Sequence, residues 1–141
     1  MKIIIIAEAG VNHNGNLKTA KKLVDVAKLA NADYVKFQSF THDKLVIKNT
    51  PKANYQKSNF NTKENQNLML QKLQLSPLDH LKLINYCKNK KINFLSTAFD
   101  IDNLKFLLKN KIDFIKIPSG EITNLPFLKF IKKQKKKILL S

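Results

Sequence analysis

Two lysines stand inside short apolar runs of this 141-residue chain, Lys36 in Tyr34-Val35-Lys36-Phe37-Gln38 and Lys116 in Phe114-Ile115-Lys116-Ile117. If both runs are strands, side chains alternate between faces, so Lys36 and Gln38 share one face and Val35 and Phe37 the other, while Lys116 opposes Ile115 and Ile117. An ammonium buried without a counter-charge costs on the order of several kcal/mol or loses its proton. One anion between two such lysines satisfies both. Further apolar runs end in Glu8, in Ser96-Thr97 and in Ser141, and Pro118-Ser119-Gly120-Glu121 lies just beyond Lys116. Lysines and hydroxyls suit a phosphate or carboxylate, whereas the carboxylates of Glu8 and Glu121 suit sugar hydroxyls or proton transfer. The combination predicts a site for an anionic small molecule beside a polyhydroxy one.

Each group also has a plainer reading. Lys36 and Lys116 would be ordinary surface residues on an exposed edge, Glu8 a capping acceptor, and Glu121 a favourable charge near a helix N-terminus. Asn12-His13-Asn14-Gly15 reads either as a turn into a helix capped by Asn16 or as a direct substrate contact. His13, His42 and His80 lack metal-ligand spacing. Gly10 and Gly15 fit neither the dinucleotide nor the P-loop pattern. Cys87, the single cysteine, falls in a helical pattern and is read as a core or boundary residue without chemistry.

The elements that must hold these groups alternate. Strands are expected at 3–7, 33–38, 92–96, 113–117 and 137–141. Between them, 17–30 carries Ala20, Leu23, Val24, Ala27 and Ala30 at helical spacing, and a short helix is expected over 64–73. Ser76-Pro77 opens a helix to about 90 with Leu78, Leu81, Ile84 and Cys87 as its apolar stripe. Asp100 caps another to about 110, with Ile101, Leu104, Leu107 and Leu108 inward, and Thr123 starts a last one to about 133. The stretch 39–63, which contains Tyr55-Gln56, reads as a long polar connection, a class that is usually functional or disordered. Strand, helix, strand in this order implies parallel pairing, either in an open doubly wound sheet or in a (β/α)8 barrel. A barrel would be about half present, with unpaired edges at the first and fifth strands.

With 43% hydrophobic residues the chain can pack a core in one domain. It has no apolar run long enough for a membrane span and no signal peptide at its start, so the expected location is the cytoplasm. A net charge of +16 raises a nucleic acid or other polyanion as partner. Against that, all 26 basic residues are lysine, a bias that an A+T-rich coding sequence produces, and the arginine fork used to read bases is absent. The expectation is no nucleic acid and no membrane.

Four segments carry a family resemblance: Ile6-Ala7-Glu8-Ala9-Gly10-Val11-Asn12-His13-Asn14-Gly15, Val35-Lys36-Phe37-Gln38, Leu95-Ser96-Thr97-Ala98-Phe99-Asp100 and Ile115-Lys116-Ile117-Pro118-Ser119-Gly120-Glu121. In order and spacing they resemble the sialic acid synthase family, whose members make N-acetylneuraminate, legionaminate and related nonulosonates. The resemblance implies that residues 1–141 are the N-terminal part of a (β/α)8 TIM barrel, with about five parallel strands. The implied reaction condenses phosphoenolpyruvate with N-acetylmannosamine or a related N-acylated amino sugar and releases phosphate. A legionaminate- or pseudaminate-type acceptor is the alternative within the class, and a basic polyanion-binding module the alternative outside it. Carried over by position, Lys36, Thr97, Lys116, Ser119 and Ser141 would hold the phosphate and carboxylate, and Glu8 and Gln38 would contact the sugar. Glu121 and Glu8 are the implied catalytic carboxylates. The family's divalent metal, Mn2+ or Mg2+, is held by later histidines, and its C-terminal antifreeze-like domain closes the partner's site in a homodimer. Neither feature falls within this chain, so it is expected to be inactive alone.

Overall fold

The computed structural model describes residues 3–46 and 65–141. In these residues five strands run β1 (Ile6–Gly10), β2 (Tyr34–Ser39), β3 (Asn93–Ala98), β4 (Phe114–Ile117) and β5 (Lys137–Leu140). Among the described residues six α-helices accompany them: α1 (Leu17–Leu29), α2 (His42–Leu45), α3 (Gln66–Leu73), α4 (Pro77–Asn89), α5 (Ile101–Lys109) and α6 (Leu125–Lys132). Every ladder is parallel, in the order β1-β2-β3 and, separately, β4-β5. Phe94 of β3 packs against the apolar clusters beneath both sheets. The remainder of the expected 39–63 connection, including Tyr55-Gln56, lies outside the described residues.

Side chains that start the helices stop them from fraying. Asn16, Asn65, Ser76, Asp100 and Asn124 each accept a backbone N–H of the first turn, at about 1 kcal/mol per cap. The last helix therefore begins at Asn124 rather than Thr123. The helix ends share a second device. Asn31, Lys91 and Lys111 adopt left-handed backbone at φ 56, 54 and 59°. Their N–H groups donate to Lys28, Lys88 and Leu108 carbonyls, and the next residue, Ala32, Ile92 or Ile112, is buried in the core. Ala32 and Ile92 also close six-residue loops onto Ala27 and Cys87 carbonyls, completing Schellman turns. These turns fix the amino ends of β2, β3 and β4.

Two expectations fail at the level of the face or the register. Ile3, Ile4 and Ile5 are 77, 48 and 56% exposed, and β1 occupies 6–10 instead of 3–7. Pairing decides this: Ile6 aligns with Tyr34, the first residue of β2, and the segment before it makes only end contacts with Asp33 and Tyr34. On α4, Leu78 and Leu81 are exposed and His80, Leu83 and Cys87 are buried. The helix turns this way because His80 finds hydrogen-bond partners under the sheet. Cys87 is buried as expected, and burial pushes its thiol up to about 12.

The turn after β1 is equally constrained. Gly15 sits at φ 71°, and a Cβ there would fall 2.1 Å from the Lys72 carbonyl oxygen. Its N–H donates to His13 Nδ1 at 3.0 Å, which leaves the His13 proton on Nε2, a buried atom without a partner among the described residues. Burial, reinforced by the nearby His80, brings the His13 pKa down to about 4. This supports the turn reading of Asn12-His13-Asn14-Gly15.

Gly15→Ala should lower stability by about 2 kcal/mol or more, and Lys111→Gly should raise it by about 0.5 kcal/mol, both read from urea midpoints. Because His13 holds its proton less tightly in the folded chain than the ordinary 6.5, the unfolded state is protonated first. Stability is then full above pH 6.5 and falls by about 3 kcal/mol as pH drops towards 4, with His80 adding in the same sense. His13→Gln should flatten that limb in urea titrations across pH; an unchanged slope would contradict the assignment.

Candidate functional site

The register of the first three strands determines which polar groups meet. Glu8 aligns with Lys36, and Gln38 with Thr97. Val35 and Phe37 enter the helix-covered core, so Lys36 takes the opposite face, where its side chain is only 12% exposed. There its ammonium pairs with the Glu8 carboxylate and donates to Thr97 Oγ1 at 3.2 Å. The reading of Lys36 as an exposed edge residue is thereby excluded. At Gly10 the backbone turns at φ 54°, and a Cβ would meet Glu8 Oε1 at 3.2 Å and Gln38 Nε2 at 3.8 Å. The missing side chain leaves the Glu8 carboxylate and the Gln38 amide side by side.

Lys116 occupies the equivalent place on β4. Its ammonium bonds the Ser141 hydroxyl and donates to the Ile117 carbonyl at 3.1 Å, while Ser141 N–H closes the ladder onto that same carbonyl at 3.3 Å. Burial first, then the positive charge of Lys36, hold Lys116 below the ordinary lysine range, with Glu8 partly opposing them. The two ammonium groups thus lie within each other's field beside a single carboxylate. Such a pair gains from a second, mobile anion.

Ser119 and Glu121 stand apart from this cluster. Both lie in a single 3-10 turn, Ser119–Glu121, after β4. Ser119 is exposed, and Glu121 accepts a 2.6 Å bond from Asn124 Nδ2, the cap of α6. In this state the carboxylate serves the helix start. Among the described residues no group of three or more His, Cys, Asp or Glu side chains is arranged to hold a metal ion. His42 is engaged by Gln74 and Asp43, and His13 and His80 are buried on the helix side. These residues do not fit the Mn2+ or Mg2+ that the resemblance implies, and no step below passes through a metal.

Sequence reasoning missed Ser39 and His80, and it grouped Ser96 with Thr97 in the anion site, whereas alternation along β3 turns Ser96 to the helix side, where it is buried against Ser39. Spacing held a signal, since 80, 83 and 87 form a helical stripe as good as the one chosen. Among the described residues no helix is long and apolar enough to cross a membrane.

A family profile described as the NeuB family matches residues 23–141. The N,N'-diacetyllegionaminic acid synthase of Campylobacter jejuni is 49% identical over 140 residues, covering 99% of this chain and 42% of that protein. Its namesake from Legionella pneumophila is 47% identical, covering 100% and 40%. The crystal structure of the N-acetylneuraminic acid (sialic acid) synthetase from Leptospira borgpetersenii, in complex with citrate, superposes with a TM-score of 0.82 at 26% identity, over 99% of this chain and 44% of that one. This chain therefore spans about two fifths of the length of the curated relatives it matches. On the profile match and the shared parallel α/β fold, it belongs to the NeuB family.

Proposed function

We propose that residues 1–141 form the phosphoenolpyruvate-binding part of a nonulosonate synthase, one portion of a (β/α)8 barrel acting in the cytoplasm. The observation that carries this reading is the near-buried Lys36 ammonium, held between Glu8 and Thr97 within the field of Lys116. Lys36, Thr97, Lys116 and Ser141 take the phosphate and carboxylate, with Ser119 approaching from the turn after β4. Glu8 and Gln38, adjacent over Gly10, face the sugar.

In the reaction, C3 of phosphoenolpyruvate bonds to the aldehyde carbon of the open-chain sugar, whose oxygen takes up a proton to become a hydroxyl. Water adds at the electron-poor C2 and loses a proton, and the bond between C2 and the phosphate oxygen then breaks as the new C2 hydroxyl gives up its proton, leaving a 2-keto acid and inorganic phosphate. The lysines stabilise charge on the departing phosphate, which favours the collapse. Glu8 and, once released from Asn124, Glu121 are the groups available for proton transfer. The rest of the barrel, and a partner subunit in a homodimer, complete the site. An acceptor with two acetamido groups is favoured, because relatives 49 and 47% identical are both diacetyllegionaminic acid synthases. Acceptor assays of a complete relative with one and two acetamido groups test that choice.

Calorimetric titration with phosphoenolpyruvate should give saturable binding to this chain. Lys36→Met and Lys116→Met should each weaken it by about 10- to 100-fold, the loss of one charge-assisted contact. Lys88→Met, on the opposite end of the sheet, should leave it within about twofold. Equal effects at all three positions would indicate general charge attraction instead. Incubated with phosphoenolpyruvate and N-acetylmannosamine, the 141-residue chain should release no phosphate above the uncatalysed background. Steady release would overturn the assignment of only part of the site to these residues.

A further inference from the structure

One layer behind the site, on the helix-covered face of the sheet, three polar side chains form a continuous chain. Ser39 follows Gln38 at the end of β2, and Ser96 precedes Thr97 in β3. His80 of α4 brings its Nε2 to 2.9 Å from Ser39 Oγ, and Ser39 Oγ lies 2.7 Å from Ser96 Oγ. On the far side His80 Nδ1 is 3.1 Å from the carbonyl oxygen of Ser76, the cap residue of α4. All three residues are at most 3% exposed.

The donors can be assigned by elimination. A carbonyl only accepts, so His80 carries its proton on Nδ1 and Nε2 accepts from the Ser39 hydroxyl. Ser39 Oγ then accepts from the Ser96 hydroxyl. Burial holds His80 below the ordinary histidine range, which keeps the ring neutral, and the Ser76 carbonyl selects the tautomer. The surrounding positions of the same face are apolar: Val35, Phe37, Ala98, Ile115 and Ile117. An apolar trio would pack there without desolvating four polar side-chain atoms. What the polar chain adds is direction, because one arrangement of helix and strands satisfies it.

We propose that His80, Ser39 and Ser96 are positioning residues that set the spacing of β2 and β3 at the Gln38–Thr97 pair and so aim the Gln38 amide and the Thr97 hydroxyl into the site. The inference rests on the phosphoenolpyruvate reading for its functional consequence. Its structural content stands apart: removal of Ser39 should disturb Thr97, a residue on another strand and on the opposite face.

The test compares Ser39→Ala, His80→Gln and Ile131→Val in the 141-residue chain. Thr97 side-chain rotamers are read from NMR couplings, stability from urea unfolding and phosphoenolpyruvate affinity from calorimetry. Ser39→Ala should spread Thr97 over a second rotamer and weaken binding about tenfold. His80→Gln, whose amide can accept from Ser39 and donate to Ser76, should keep both within about twofold of the parent. Ile131→Val, a mild core truncation, should cost stability with Thr97 and affinity unchanged. Ser96→Ala, read at the Gln38 side-chain amide, serves if Ser39→Ala does not fold. If the parent chain binds no phosphoenolpyruvate, the functional reading fails and the rotamer measurement still decides the inference. Thr97 held in one rotamer in Ser39→Ala, or affinity losses that merely follow stability across the three variants, would overturn it.

Discussion

The constraint on which this structure turns is the cost of holding the Lys36 ammonium out of water. Its strand buries Val35 and Phe37 on the helix side, so the lysine between them must take the inner face, and there it needs partners at fixed positions on both neighbouring strands. Glu8 supplies one from β1 and Thr97 the other from β3. Either neighbour shifted by one residue would turn its partner to the helix side. The same register that satisfies the lysine therefore aligns the polar ends of three strands. Lys116 repeats the solution on β4 with Ser141, at the cost of a lowered proton affinity caused by burial and by Lys36.

Two sets of bonds hold this arrangement from behind. At the amino ends of the strands, left-handed turns at Asn31, Lys91 and Lys111 send the chain from helix to strand and bury Ala32, Ile92 and Ile112. At the carboxyl ends, His80 links the start of α4 to β2 and through Ser39 to β3. Between them lies an apolar layer in which Val35, Phe37, Leu83, Leu104 and Ile115 are at most 1% exposed. Lys28, Lys88, Lys109 and Lys132 sit in the last turns of α1, α4, α5 and α6, where the helix dipole favours positive charge, so part of the basic excess has a local structural role.

The order of elements and the polar strand ends were legible in the sequence because both follow from short-range pattern: period-2 alternation at Val35-Lys36-Phe37-Gln38, helical spacing at Ala20, Val24 and Ala27, and capping residues at Asn16, Ser76 and Asp100. What was not legible depended on partners far along the chain. Ile3 to Ile5 look more like a strand than Glu8-Ala9-Gly10 until β2 is placed beside them. His80 looks like a surface residue until Ser39 and Ser96 are seen beneath it. Glu121 carries the same ambiguity in sequence and structure alike, since its bond to Asn124 satisfies a helix start while its place beyond β4 suits chemistry. The four motifs gave the family without any of these details, because each is a continuous run of residues whose reading needs no distant partner.

The most direct measurement is a titration of the lysine side-chain 15N signals of this chain with phosphoenolpyruvate. The account predicts that the Lys36 and Lys116 ammonium signals move together and saturate at one common concentration, while the lysines of the αβ turns remain in place. Shifts confined to the exposed lysines, or Lys36 and Lys116 responding at different concentrations, would contradict a single anion held between them.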